Sequence, residues 1–259
     1  MPTWETLYRT PQPCDHFVQL YTDERFLARG VAAFLGAGVA AGEGAVIIAT
    51  PAHIDLFRAA LTESGVDVTD AVRRGRLLLA DARECLAKFM IDGMPEARAF
   101  SALVTGILES VRARGVVKLR LYGEMVDLLW RENLEATVRL EELWNETLAA
   151  ERVSLLCAYS IDNFDRYPHR RVLPQITRVH SHLIPVDDYD RLDRAVDRAY
   201  TDVFGADGDA EGFRTVLLSG SAPPAAVMPT AEADLLALRG VSASTADAVL
   251  DRARHHYRG

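Results

Sequence analysis

Five short apolar runs, at residues 16–21, 45–50, 76–81, 116–122 and 153–159, alternate with longer stretches of helical spacing. The second, Ala45-Val46-Ile47-Ile48-Ala49-Thr50, is apolar on both faces, which a strand covered by helices on both sides requires. Strand–helix alternation of this kind builds a mostly parallel sheet joined by right-handed crossovers, with helices on both faces. The intervening helices carry their own punctuation. Asp23 opens one that turns Phe26, Leu27, Val31, Phe34 and Leu35 inward. Pro51 suits the first turn of a second, with Ile54, Phe57 and Leu61 inward and Gly65 ending it. A third spans about 95–114, carrying Phe100, Leu103, Val104, Ile107, Leu108 and Val111, with Gly115 as its stop. Residues 124–150 read as two helices broken near Asn133, and 162–179 and 187–203 as two more. The fold class is α/β with about five or more strands. Periodicity leaves the strand order open.

The flanks differ in character. Residues 1–15, with Pro2, Pro11 and Pro13, read as an arm, and 16–204 as the α/β domain. Residues 205–228 mix glycines, acids and prolines as a linker does, and 229–259 form a small module of two helices. With 49% hydrophobic and 25% charged residues, the chain is of globular type and long enough to bury a core without covalent staples. Three cysteines without a CxxC pair fit a reducing compartment rather than a disulfide framework. No stretch approaches the roughly 20 apolar residues of a membrane span, and the N-terminus lacks a signal pattern. A cytoplasmic protein with no membrane partner is expected. A net charge of −8 disfavours broad binding to phosphate backbones.

In an open α/β sheet, ligands settle beyond the carboxyl ends of the strands. The residues at those ends are Tyr21 and Asp23, Thr50 and His53, Asp81, Tyr122 and Glu124, and Tyr159. Phenols, acids and an imidazole suit a small, partly apolar molecule held by aromatic contact and a few hydrogen bonds. They suit phosphate poorly. The turn after the first strand, Tyr21-Thr22-Asp23-Glu24-Arg25, has two acids and no glycine where a phosphate-binding loop needs glycines and a lysine. Glu124 follows a glycine at a strand end and opens a helix, so it is either a site carboxylate or a cap for its own turn. Tyr21 and Tyr122 flank the same crevice or pack at the sheet edge.

A second tier of candidates comprises His16, Glu141, Trp144, Asn145 and Cys157. Glu141 and Asn145 share a helix face with Leu134, Val138 and Leu148, as an internal hydrogen-bonded pair or a ligand contact. His16 starts the first strand, opposite the expected crevice, where a structural hydrogen bond is its simplest role. Trp144 reads as core and Cys157 as a buried thiol. His180 and His182 would share a face of an extended segment and offer an alternative metal pair. With no third ligand evident beside them, no metal is assigned, and the cofactor is unknown.

Several runs carry a family resemblance: His16-Phe17-Val18-Gln19-Leu20-Tyr21, Gly42-Glu43-Gly44, the stretch from Tyr122-Gly123-Glu124-Met125 to Trp130, Leu140-Glu141-Glu142-Leu143-Trp144-Asn145, Leu155-Leu156-Cys157-Ala158-Tyr159 and His180-Ser181-His182. Over about residues 15–186 the chain resembles the MEDS family, the DcmR-type sensory domain of methanogens and methylotrophs. The resemblance implies a RecA/KaiC-like domain without nucleotide motifs. It also implies a sensor of small hydrocarbon-derived signals, often joined to DNA-binding or signalling modules. Residues 235–246 resemble a helix-hairpin-helix unit, with Ser242 at the second glycine position, which weakens phosphate contact. The expectation is a non-catalytic sensory protein with a small-molecule ligand. A signalling protein or a second copy of the chain is an open partner, and DNA binding through the C-terminal module is disfavoured. The alternatives are a ligand-free scaffold or a metal- or nucleotide-dependent hydrolase. In the hydrolase, Glu124 would be the base and His180 and His182 the metal ligands.

Overall fold

The computed structural model describes residues 4–205 and 229–259. The segment read as a linker therefore lies, apart from Gly205, outside the described residues. Contacts divide the chain into two compact units, Met1–Tyr159 and Ser160–Gly259.

The first unit begins with helix α1 (Trp4–Arg9), strand β1 (His16–Tyr21), α2 (Glu24–Ala40), β2 (Gly44–Ala49), α3 (Pro51–Glu63), α4 (Val68–Arg73) and β3 (Leu77–Asp81). It continues with α5 (Ala82–Ala87), the two-residue strands β4 (Met90–Ile91) and β5 (Met94–Pro95), α6 (Ala97–Arg112), β6 (Leu119–Gly123), α7 (Met125–Leu129), α8 (Leu134–Glu151) and β7 (Ser154–Ser160). The sheet of this unit runs β3-β2-β6-β7-β1. Its strands are parallel, with Ala45 opposite Leu77, Val46 opposite Leu121 and Tyr122 opposite Leu156. Every residue of β1, β2 and β6 is buried, which explains why these runs lack the polar alternation of a half-exposed strand. The short β4 and β5 form a separate antiparallel hairpin.

Where the structure departs from the sequence pattern, local causes are visible. The segment read as an arm holds α1, anchored through Tyr8. Tyr8 is fully buried, its hydroxyl donates to Gln19 Oε1 at 3.0 Å, and its ring meets Phe17 edge-on at 5.7 Å. That same Gln19 side chain explains a glycine inside α2, because a Cβ on Gly30 would lie 2.4 Å from Gln19 Oε1. The fourth run pairs only from Leu119. Gly115 turns at φ +82° and Val117 points to solvent. Helices α4 and α5 had no periodic signal at six residues each. They are started by the side chains of Asp67 and Asp81, which accept from Asp70 N and from Arg83 N and Glu84 N.

The second unit holds a π-helical turn (Pro168–Val172) running into α9 (Leu173–Val179), strand β8 (His182–Ile184), α10 (Tyr189–Phe204), α11 (Thr230–Ala237), a 3₁₀ turn (Leu238–Gly240) and α12 (Ala243–Arg258). The single helix read over 162–179 is thus a π turn and a short α-helix. Helix α10, placed by the sequence with the α/β domain, shares its core with the C-terminal helices through Leu192, Val196, Tyr200, Leu235, Val249 and Leu250. The Tyr200 hydroxyl donates to the Asp234 carbonyl at 2.8 Å. Among the described residues no helix is long and apolar enough to cross a membrane.

Candidate functional site

Strands β2 and β6 are neighbours, and their continuations lead in opposite directions across the sheet. The chain leaves β2 for β3 on one side and β6 for β7 on the other. Right-handed crossovers send those two connections to opposite faces, which opens a crevice at the carboxyl ends between them. Thr50 and α3 follow β2; Glu124 and α7 follow β6. The Glu124 amide donates to the Ile48 carbonyl at 3.1 Å, which ties the two ends together.

The Glu124 side chain does not cap its own helix. It is 3% exposed and turns across to the neighbouring strand. Its Oε1 accepts from the Thr50 amide at 2.5 Å, its Oε2 lies 2.5 Å from His53 Nδ1, and Oε2 also accepts from the Tyr122 hydroxyl at 3.1 Å. Thr50 itself offers no side-chain cap to α3. The start of α3 is therefore closed by a carboxylate from the next strand, where the helix dipole favours negative charge. An aromatic row stands beside it. Ring centroids run Tyr21 to His53 at 6.2 Å, His53 to Phe57 at 5.3 Å and Phe57 to Tyr122 at 4.9 Å. Tyr21 donates to Asp127 Oδ2 at 3.2 Å, and Trp130 Nε1 donates to Asp127 Oδ1 at 2.9 Å. Farther out, the exposed Glu24 lies 3.8 Å from His53 Nε2.

Charge and burial act together on these groups. The hydrogen bond to Glu124 raises the His53 pKa above the usual histidine value, burial opposes it, and the charge of Glu124 reinforces it. Burial, then the nearby Asp127 and Glu124 charges, push the Tyr21 phenol up. Burial, then Glu124, does the same to Tyr122. Both phenols therefore stay protonated and act as hydrogen-bond donors, and His53 keeps its proton to higher pH than an ordinary histidine.

Of the residues chosen at strand ends, Tyr21, Thr50, His53, Tyr122 and Glu124 come together here. Asp23 does not join them. It caps α2, accepting from the Arg25 amide at 2.8 Å, so an acid already occupies the helix start where a phosphate would have to sit. Tyr159 also lies elsewhere, donating to Glu141 Oε1 at 2.5 Å. That contact begins a second cluster, formed by polar residues of the second tier. His16 Nδ1 lies 2.9 Å from Asn145 Oδ1, His16 Nε2 lies 3.3 Å from Cys157 Sγ and 3.4 Å from Glu141 Oε2, and Cys157 Sγ lies 3.6 Å from Glu141 Oε2. Burial, then Glu141, raises the Cys157 thiol pKa well above its usual value. Trp144 is core, its ring edge-on to Phe100 at 5.0 Å. Asp127 was missed as a candidate. Its one sequence signal is its position three residues after Glu124, one helical turn along.

In the second unit, His180 Nδ1 lies 2.7 Å from the Ile176 carbonyl and His182 Nδ1 lies 2.8 Å from Ser181 Oγ. Among the described residues, no group of three or more metal-capable side chains includes His182. The Ser242 hydroxyl caps α12, accepting from the Thr245 amide at 3.2 Å. It thus engages an amide at the position where a helix-hairpin-helix would present its backbone to a phosphate. Three basic residues of α12 are engaged as well: Arg254 with Asp165 at 2.7 Å, Arg258 with Asp162 at 3.6 Å and His256 with Asp202 at 2.8 Å.

Fold and site together define an α/β domain with a parallel sheet and an acid–imidazole–phenol cluster at its carboxyl edge. The family model described as MEthanogen/methylotroph, DcmR Sensory domain (MEDS) matches residues 15–181, and the chain belongs to this family of sensory domains. No curated protein matches the chain.

Proposed function

We propose that the chain is a non-catalytic sensory module that binds a small, partly apolar organic molecule at the carboxyl edge of the sheet. The observation that carries this reading is the Glu124 carboxylate, buried at 3% exposure yet held by groups from a second strand end, Thr50 and His53. A carboxylate serving only its own helix would have no reason to cross to the neighbouring strand. The adjoining rings of Tyr21, His53, Phe57 and Tyr122 supply apolar contact, and the imidazole and phenols supply hydrogen bonds of fixed direction. Family membership supports the sensory role. The acid-capped turn after β1 supports a degenerate RecA/KaiC-like ancestry in which nucleotide binding has been lost. The Ser242 cap and the ion pairs of Arg254 and Arg258 favour a protein-contact output over DNA for the C-terminal helices.

Isothermal calorimetry of the full chain against a panel of small alcohols, amines, carboxylates and halogenated hydrocarbons tests the reading. The expected result is one saturable binder whose heat is lost in Glu124→Ala and reduced in Tyr122→Phe. Absence of any saturable binder, or binding indifferent to both substitutions, would overturn it. Turnover of any panel member would replace sensing by catalysis, with Glu124 and His53 as its acid–base pair.

A further inference from the structure

We propose that His16, Glu141 and Cys157 are three donors of a buried binding site for a divalent transition-metal ion of zinc type. The three come from β1, α8 and β7, and each is at most 1% exposed. Their donor atoms, His16 Nε2, Glu141 Oε2 and Cys157 Sγ, stand 3.3, 3.4 and 3.6 Å apart. Tetrahedral coordination with metal–ligand bonds of about 2.0–2.3 Å separates neighbouring donors by about 3.3–3.8 Å. The triangle thus has the dimensions of one face of such a tetrahedron.

The surroundings are those of ligands already oriented. His16 Nδ1 faces Asn145 Oδ1 at 2.9 Å, which fixes the tautomer with the proton on Nδ1 and leaves the Nε2 lone pair directed at the triangle. Tyr159 donates to Glu141 Oε1 at 2.5 Å, and Glu141 Oε2 is the oxygen beside His16 and Cys157. An imidazole, a carboxylate and a thiolate form a borderline-soft set suited to zinc or cobalt and poorly suited to magnesium or calcium. On binding, the thiol proton leaves to solvent, the sulfur–metal bond forms, and the two negative ligands neutralise the divalent charge. Three donors from one unit fix the ion whatever completes the fourth corner. This site shares no residue with the Glu124 cluster, so the fate of either leaves the other standing.

Cobalt(II) titration of the metal-stripped full chain, followed by absorption, is the test, with zinc competition as its second arm. The expected result is one equivalent bound, with intense tetrahedral ligand-field bands and a thiolate-to-cobalt charge-transfer band that zinc abolishes. The charge-transfer band should vanish in Cys157→Ser. It should survive in the Cys14→Ser/Cys85→Ser double variant, whose remaining thiol is Cys157. Tyr159→Phe, which removes only support for a ligand, should weaken binding about 10- to 100-fold. A cobalt complex without the thiolate band overturns the proposal, as does a band lost in the double variant. If Cys157→Ser does not fold, the wild-type spectrum and the double variant still decide.

Discussion

Glu124→Gln isolates the charge of the carboxylate while keeping its shape. The glutamine carbonyl can still accept from the Thr50 amide, but its NH₂ group would face His53 and the Tyr122 hydroxyl, where the carboxylate accepts at 2.5 and 3.1 Å. A hydrogen bond to a charged group contributes about 1.5–3 kcal/mol against about 0.5–1.5 kcal/mol for a neutral one, so the exchange should cost about 2 kcal/mol when His53 is protonated. With an imidazole only 13% exposed, solvent does little to screen this interaction. The cost must depend on pH. Glu124 raises the folded-state pKa of His53, so the stability that the pair contributes is full below the unfolded histidine pKa and is lost as pH rises through the folded one. The variant should therefore lose about 2 kcal/mol at about pH 5.5 and about half that at about pH 8.5, on either side of the usual histidine range. Urea unfolding followed by tryptophan fluorescence reads this directly, because Trp4, Trp130 and Trp144 all lie in the first unit. A destabilisation of the same size at both pH values would refute the reasoning. So would an NMR titration in which His53 keeps the same pKa in wild type and variant.

Other perturbations separate packing from chemistry. Arg120 is buried with Glu43 at 2.6 Å and donates to the carbonyls of Tyr8, Phe34 and Arg9; Arg120→Met should destabilise the first unit by about 3 kcal/mol or more in the same urea assay. Gly30→Ala should destabilise by about 1–3 kcal/mol because its Cβ collides with Gln19 Oε1, whereas Gly106→Ala, in open space on α6, should stabilise by about 0.5–1 kcal/mol; thermal melts that rank the two alike would refute the contact argument. In the second unit, burial raises the Glu232 carboxyl to about 7. Its stability contribution is therefore full below the unfolded carboxylate pKa and falls as pH rises from there towards 7. Glu232→Gln should flatten that fall, gaining on the order of a few kcal/mol at pH 8 relative to pH 5 in thermal or denaturant unfolding.

The strands were legible because burial on both faces leaves a doubly apolar run that few other elements produce. The strand order was not, because periodicity records what each strand touches above and below and nothing about its lateral neighbour. That missing order governs both clusters. Glu124 could be singled out as the residue after Gly123 at a strand end, but its strongest partner besides His53 is the Thr50 backbone amide, a donor every residue carries and no residue type announces. Glu141 and Asn145 could be seen to share a helix face, yet their joining to His16 and Cys157 depends on β1 lying beside β7, across more than a hundred residues of chain. Helix α1 was hidden for the opposite reason, since one buried tyrosine makes no periodic pattern.

Arg120 shows what structural burial of charge looks like in this fold. It lies opposite Glu43 and is surrounded by three carbonyls and the Phe34 ring, a set of partners that pairs its charge and satisfies its donors. The buried carboxylates of Glu124 and Glu141 are supported differently. Glu124 is held by an amide, an imidazole and a phenol, and Glu141 by a phenol, a thiol and an imidazole. These partners can change protonation state or reorient when a ligand or an ion enters, whereas a guanidinium cannot lose its charge. A fold that needed only to bury these acids would be served better by a permanent cation, as Glu43 is. Adjustable partners at two separate places fit a domain whose state is set by what it binds.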